Sequence, residues 1–212
     1  MKKRFLFLII LFTLYIFVNF YCYASNILNN IEDKVFRLHI IANSNSKEDQ
    51  ALKYKVRDNI ISYMNEICKN ASSKEDVIKL TQKHIGDFKK IADYTIIENG
   101  FNYTSTVEIG NYEFPTKKYG DISFPCGCYD ALEIKLGKNS GQNWWCVLYP
   151  SLCFIDVSSG ILPESSKEEL KNILPSEEYA LISENTPTYN FKFKLVELFS
   201  SSFILGKNEV ES

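Results

Sequence analysis

The sequence predicts an α+β fold: a mostly antiparallel sheet with a two-helix hairpin packed on one face, preceded by an N-terminal export segment. Three observations carry this. Residues 47–91 repeat apolar side chains at spacings of three and four. From residue 94 the pattern changes to alternation punctuated by Gly, Asn and Pro. Residues 5–23 form an apolar stretch behind a basic flank.

The N-terminus comes first. Lys2, Lys3 and Arg4 supply positive charge, residues 5–18 are apolar apart from Thr13, and Cys22-Tyr23-Ala24 offers small residues at the two positions a signal peptidase reads. Two readings stay open: a signal peptide over 1–24 cleaved before Ser25, and a retained anchor, since the apolar stretch approaches the roughly 20 residues that span a bilayer. Either places residues 25–212 outside the cytoplasm as one α+β domain, with membrane contact through the N-terminal segment alone. Asn19-Phe20-Tyr21 before Cys22 lacks the small residues of a lipid-attachment site.

Residues 35–42, Val-Phe-Arg-Leu-His-Ile-Ile-Ala, read as a strand, and adjacent Ile40 and Ile41 argue for burial on both faces and a central place. Ser46 then caps a helix, with Asp49 three residues on completing a capping box. That helix is predicted to run to about residue 70 with Leu52, Val56, Ile60, Tyr63 and Ile67 on one face. A second box, Ser73 to Asp76, opens a helix carrying Val77, Leu80, His84, Ile85, Phe88 and Ile91, and His84 reads as a partly buried core histidine. Residues 94–98 and 101–109 read as strands around an Asn99-Gly100 hairpin turn. Residues 114–125 form an extended excursion pinned by aromatics. Residues 129–136 and 143–149 make a second hairpin around 137–141, in which Trp144 and Trp145 point to opposite faces. Ser166 opens a short helix that Pro175 ends. Residues 157–165 are a candidate boundary, and 191–203 fit a strand or a helix equally.

Charge narrows the partners. The full chain carries −2, and loss of residues 1–24 removes three bases and no acid, giving −5. Nucleic acid, which needs clustered Lys and Arg, is not an expected partner. Cys68, Cys126, Cys128, Cys146 and Cys153 remain after the export segment. In an exported protein nearby cysteines default to disulfides. Cys146 and Cys153 flank Pro150, which can turn the chain back to bring their Cα atoms within the about 7 Å a bond requires. That pair is the first expectation, and either one with Cys126 or Cys128 the second. Cys68, on the apolar side of a helix, reads as a buried thiol. His39 and His84 are too far from the cysteines in sequence for a metal set, so neither metal nor cofactor is expected.

Enzymatic motifs are thin. His39 with Ser44 or Ser46 and Asp49 has the residue types of a triad, without a nucleophile elbow. There is no Gly-rich phosphate loop and no His-Glu-x-x-His helix, and Asp33 and Asp49 lack the context of an aspartic protease. His39 has three readings: a general base, an imidazole that fixes the strand-to-helix corner, and part of a surface read by a partner. Arg37 can pair with Asp49 or Asp58, or reach outside the fold.

Two blocks carry a family likeness. The first contains Arg37, His39, Ala42, Asn43, Ser44, Asp49, Gln50, Lys53, Val56, Arg57 and Asp58. The second runs through Gly110-Asn111-Tyr112, Phe114-Pro115, Tyr119-Gly120, Phe124-Pro125, Tyr129, Ala131-Leu132 and 143–148, Asn-Trp-Trp-Cys-Val-Leu, then Pro150, Leu152-Cys153-Phe154 and Asp156. Together they resemble the signature of the stage II sporulation protein R family, secreted signals of endospore-forming bacteria. Cys126 and Cys128 depart from the pattern. The resemblance implies a non-enzymatic signal, made in the forespore and exported into the space between the two membranes. There it activates a membrane-embedded aspartic protease of the mother cell that removes the pro-sequence of sigma factor E. The corner formed by His39, Asn43, Ser44, Asp49, Gln50, Lys53 and Arg57 is the expected partner-binding surface. The alternative from another class is an envelope enzyme or peptidoglycan-binding module at the septum, which would show two carboxylates facing each other across a cleft.

Overall fold

A computed structural model describes residues 2–152, 162 and 164–183. The boundary expected over 157–165 lies largely, and the terminal segment 191–203 entirely, outside them. The described chain is α+β, in the order α1 (Lys2–Lys34), β1 (Phe36–Ile41), α2 (Lys47–Ile67), α3 (Lys74–Lys83), α4 (Ile85–Glu98), β2 (Ser105–Phe114), β3 (Lys117–Tyr119), β4 (Ile122–Phe124), β5 (Gly127–Leu136), β6 (Asn143–Tyr149), α5 (Glu164–Ile173) and α6 (Ser176–Ile182).

The main sheet has the order β2-β5-β1-β6. β1 is interior, with residues 36–40 buried on both faces, and it runs parallel to β5 (His39↔Glu133) and antiparallel to β6 (His39↔Trp145). β5 and β6 are therefore not the hairpin the sequence predicts. They are consecutive, but β1 lies between them, and the sheet is mixed.

Pleating divides β1 between two cores. Phe36, Leu38 and Ile40 join Leu132, Ile134, Leu136, Cys146 and Leu148 under the helices, where Leu52, Val56, Ile60, Val77, Phe88, Ala92 and Ile96 cover them. Burial of this set is the main stabilising contribution, about 25 cal/mol per Å² of apolar surface. Arg37 and His39 point to the opposite face. There a second core forms from Ile31, Val35, Phe114, Tyr119, Ile122, Phe124, Tyr129, Val147, Leu170 and Ile182. Trp144 packs against the first core and Trp145 against the second, as alternation requires.

Three local outcomes differ from the expected elements. The second predicted helix divides at His84, whose ring accepts or donates to Tyr63 Oη at 2.8 Å and Asp87 Oδ2 at 3.2 Å. Residues 94–98 are helical, because Phe88, Ala92, Thr95 and Ile96 continue a buried stripe at helical spacing. Asn99-Gly100 is accordingly a helix end. Gly100 adopts φ +83°, its N–H reaches Ile97 O, and Phe101 N–H reaches Ile96 O, a Schellman motif. The excursion over 114–125 folds into the β3–β4 hairpin, anchored by buried Tyr119 and Phe124.

Arg37 pairs with neither Asp49 nor Asp58. It is fully buried, its guanidinium 4.1 Å from the Phe114 ring centroid and 4.7 Å from that of Tyr129, with Nη2 donating to Tyr119 Oη at 2.9 Å. Aromatic faces solvate this cation in place of carboxylates. Cys126, half-buried, and Cys128, exposed, lie at the start of β5. The pairing of Cys146 with Cys153 involves a residue outside the described set. Cys68 lies against the helix-side core, and burial pushes its thiol pKa up.

Candidate functional site

The β1–α2 corner is built where an apolar strand ends and an acid-rich first helical turn begins. Ser46, in extended conformation, accepts the Asp49 N–H on its hydroxyl at 3.1 Å, the predicted cap. The Asp49 side chain turns inward instead of to solvent. Its Oδ2 accepts from Asn43 Nδ2 (2.9 Å) and Ser44 Oγ (2.5 Å), and its Oδ1 from the Tyr103 hydroxyl (2.6 Å). Burial raises the carboxyl pKa, but hydrogen bonds from Ser44, Tyr103, Asn43 and Ser46 outweigh it and hold Asp49 below its ordinary value. The same bond pushes the Tyr103 hydroxyl well up, after burial as the larger cause.

A second set of bonds stitches this loop to the β5–β6 connection. Asn43 Oδ1 accepts from Lys138 N–H, Asn43 O from Ser140 Oγ, Ala42 O from Gly141 N–H, and Asn45 Oδ1 from Gln142 N–H. Gly141 has to be glycine, since a Cβ there would run into the Ser44 carbonyl. Lys53, 1% exposed, closes the set by donating to Gln50 Oε1 (2.7 Å) and Gln142 O (3.0 Å), while Gln50 Nε2 donates to Ser44 O (2.8 Å). Burial, and then the nearby Arg57, lower the Lys53 pKa.

Five of the expected residues, Asn43, Ser44, Asp49, Gln50 and Lys53, thus meet in one network. Arg57 stands beside it on α2. Its guanidinium lies 4.4 Å from the Trp144 ring and 5.0 Å from that of Tyr54, which is 40% exposed. His39 does not belong to the network. It lies on the other face of the sheet, 6% exposed, with Nδ1 2.9 Å from Glu133 Oε1 and its ring stacked on Trp145 at 3.8 Å. Glu133 Oε2 also pairs with Lys135 Nζ at 2.5 Å. Burial lowers the His39 pKa more than Glu133 raises it.

Sequence reasoning missed Tyr103, Gln142 and Glu133. Gly137 and Gly141 bracketing one short loop were the available signal for close backbone approach. No local signal joined Glu133 to His39.

Comparison with known proteins places this geometry. The model of the stage II sporulation protein R family matches residues 32–159, which hold both the corner and the sheet. The chain belongs to that family. The Stage II sporulation protein R of Bacillus subtilis (strain 168) is 36% identical, an alignment covering 82% of this chain and 83% of the relative. No solved structure matches the chain. Family membership supports a role in sporulation. The part of α1 ahead of the matched region is long and apolar enough to cross a membrane, by length and composition, and fits a signal or anchor segment.

Proposed function

We propose that this protein is an exported, non-enzymatic signal of endospore formation, working outside the cytoplasm between forespore and mother cell. It activates a membrane-embedded aspartic protease by binding, and processing of the pro-sigma-E factor follows. The observation that carries the reading is the family match over residues 32–159, placed directly behind an apolar N-terminal helix. Activation by binding requires tighter contact with the active arrangement of the protease than with the inactive one.

The contact surface we propose is the β1–α2 corner. Asp49 and Lys53 are supports within it, since both are almost wholly buried. Asn43, Ser44, Gln50 and Arg57 form its accessible part together with exposed Lys47 and Tyr54. Tyr and Arg are favoured interface anchors. His39 contributes from the opposite face through Trp145, as a separate patch.

The test is pro-sigma-E processing in a host that makes the protease and its substrate, with no signal, wild type, Lys47→Glu, Tyr54→Ala or Arg57→Ala. Secretion and unfolding midpoints are checked for each. Processing with wild type and its loss in folded corner variants supports the surface. Full processing with every folded variant removes the corner as the contact. No processing with secreted wild type removes the signalling reading itself.

A further inference from the structure

Among the described residues, no strand pairs with the outer edge of β2. Ser105 shows which residues face outward: its N–H donates to Asp93 Oδ1 at 2.7 Å and its carbonyl accepts from Lys89 Nζ at 2.6 Å, both on α4. Thr104, one residue earlier, turns its carbonyl the other way, to Gly137 N–H. In an antiparallel ladder this direction alternates. Pairing runs in unbroken register from Ser105↔Leu136 to Phe114↔Gly127. Val107, Ile109, Asn111 and Glu113 therefore present N–H and C=O groups away from the sheet, and none of these groups is hydrogen-bonded among the described residues.

Folded proteins blunt such an edge with Lys, Pro, a bulge or a short strand. β2 uses none of these. It is 10 residues long, STVEIGNYEF, with no Pro, Lys or Arg. Its exposed charges are Glu108 and Glu113, one on each face of the sheet, and Asp130 lies beside Asn111. Of the bases beside this edge, Lys89 is engaged with Ser105 O and Asp93, and Lys135 with Glu133 and Glu108. Val107 and Ile109 are half-buried against the helix-side core, an apolar row on one face that a fifth strand could extend.

We propose that the outer edge of β2 is a β-augmentation site, taking an extended segment of another protein in which apolar residues alternate with Lys or Arg. Main-chain bonds supply affinity, the apolar side chains extend the Val107 and Ile109 row, and the Glu108 carboxylate on the opposite face selects the bases. A second copy of the chain fits less well, because an antiparallel β2–β2 ribbon places Glu108 of both copies on one face and Glu113 of both on the other, and adds no base to pair with either. This inference stands apart from the identity of any protease the protein activates.

The test uses the full-length chain in detergent micelles, titrated with an acetylated, amidated peptide of about eight residues, the usual strand length, alternating Lys and Val. A Glu–Val peptide is the control. Saturating Lys–Val peptide slows amide exchange at Val107, Ile109, Asn111 and Glu113 by at least about tenfold, while Thr106 and Glu108, already bonded to β5, do not change. Ile109→Pro removes an outward N–H and no β5 bond, so affinity drops about tenfold in a folded variant. Glu108→Lys leaves the backbone intact and lowers affinity for the Lys–Val peptide, which keeps the test open should Ile109→Pro misfold. No protection at the four amides, or equal binding of the Glu–Val peptide, overturns the proposal. So does a concentration-dependent dimer that protects the same amides without peptide, which assigns the edge to a second copy.

Discussion

Replacing Asp49 with alanine tests whether the corner is held from within. The carboxylate accepts three side-chain bonds, from Tyr103 (2.6 Å), Asn43 (2.9 Å) and Ser44 (2.5 Å). Hydrogen bonds to an ionised group contribute about 1.5–3 kcal/mol each. The three donors are half-buried, so water replaces part of what is lost, and the working figure for Asp49→Ala is about 3 kcal/mol in total. With a urea m-value near about 2 kcal/mol per M, the midpoint moves down by about 1.5 M. Unfolding followed by Trp144 and Trp145 fluorescence reads this directly. Asp49→Asn keeps one acceptor but turns an amide N–H₂ toward donors, and is expected at about half the loss. The pH dependence supplies an independent check. A carboxyl whose folded pKa is depressed stabilises above its unfolded value of about 3.9, and that stability is lost as pH falls through the folded pKa. Wild type and Asp49→Ala should therefore begin to converge below about pH 4 and meet only below the depressed folded pKa. A shift under about 0.5 kcal/mol at neutral pH, the level of an ordinary surface change, would refute the argument. So would a large gap that persists unchanged in acid. A loss of the expected size also means that alanine at 49 reports on folding, so contacts with a partner are better probed at Lys47, Tyr54 and Arg57.

Gly141→Ala pushes a Cβ into the Ser44 carbonyl and should destabilise by about 1–3 kcal/mol, the range for overpacking, measured by the same urea titration. A neutral result would show that the 137–142 loop is not held against β1. Burial lowers the His39 pKa, so the unfolded chain binds the extra proton first. Stability should be full above about pH 6.5 and decline as pH falls from there toward the folded pKa. His39→Phe should flatten melting temperature against pH in that window, and an unchanged slope would assign the dependence to other groups. Non-reducing peptide mapping of the protein purified without reductant should recover Cys146 linked to Cys153, and recovery of both as free thiols would exclude that bond.

Much of the corner was legible because its signals are local. The capping box Ser46–Asp49, the stripe Leu52, Val56, Ile60 and the doubly apolar run of β1 each need only neighbours in sequence. Opposite faces for Trp144 and Trp145 follow from strand pleating alone. Pairing partners were less accessible. Nothing in the alternation of 129–136 and 143–149 says that a strand from residues 36–41 lies between them. Residues 94–98 alternate in isolation, and only their continuity with Phe88 and Ala92 makes them helical. The seven residues expected to form one surface divided for the same reason. Side chains of Leu38 and His39 diverge across a sheet, and that sheet's second face was assembled from Glu133, Trp145 and Phe114, all far away in sequence.

The interior position of β1 also sets the order in which the chain can come together as it emerges. The strand emerges early, but both of its neighbours, Gly127–Leu136 and Asn143–Tyr149, follow roughly a hundred residues later, a long loop to close before any contact rewards it. Until residue 136 has emerged β1 has no ladder on either side, and Asn43, Asn45 and Lys53 wait a few residues longer for the backbone of 138–142 that they bind. The helices over 47–98 can form on their own local contacts. The proposed recognition corner cannot, so a chain cut short before residue 138 keeps helices without a finished surface.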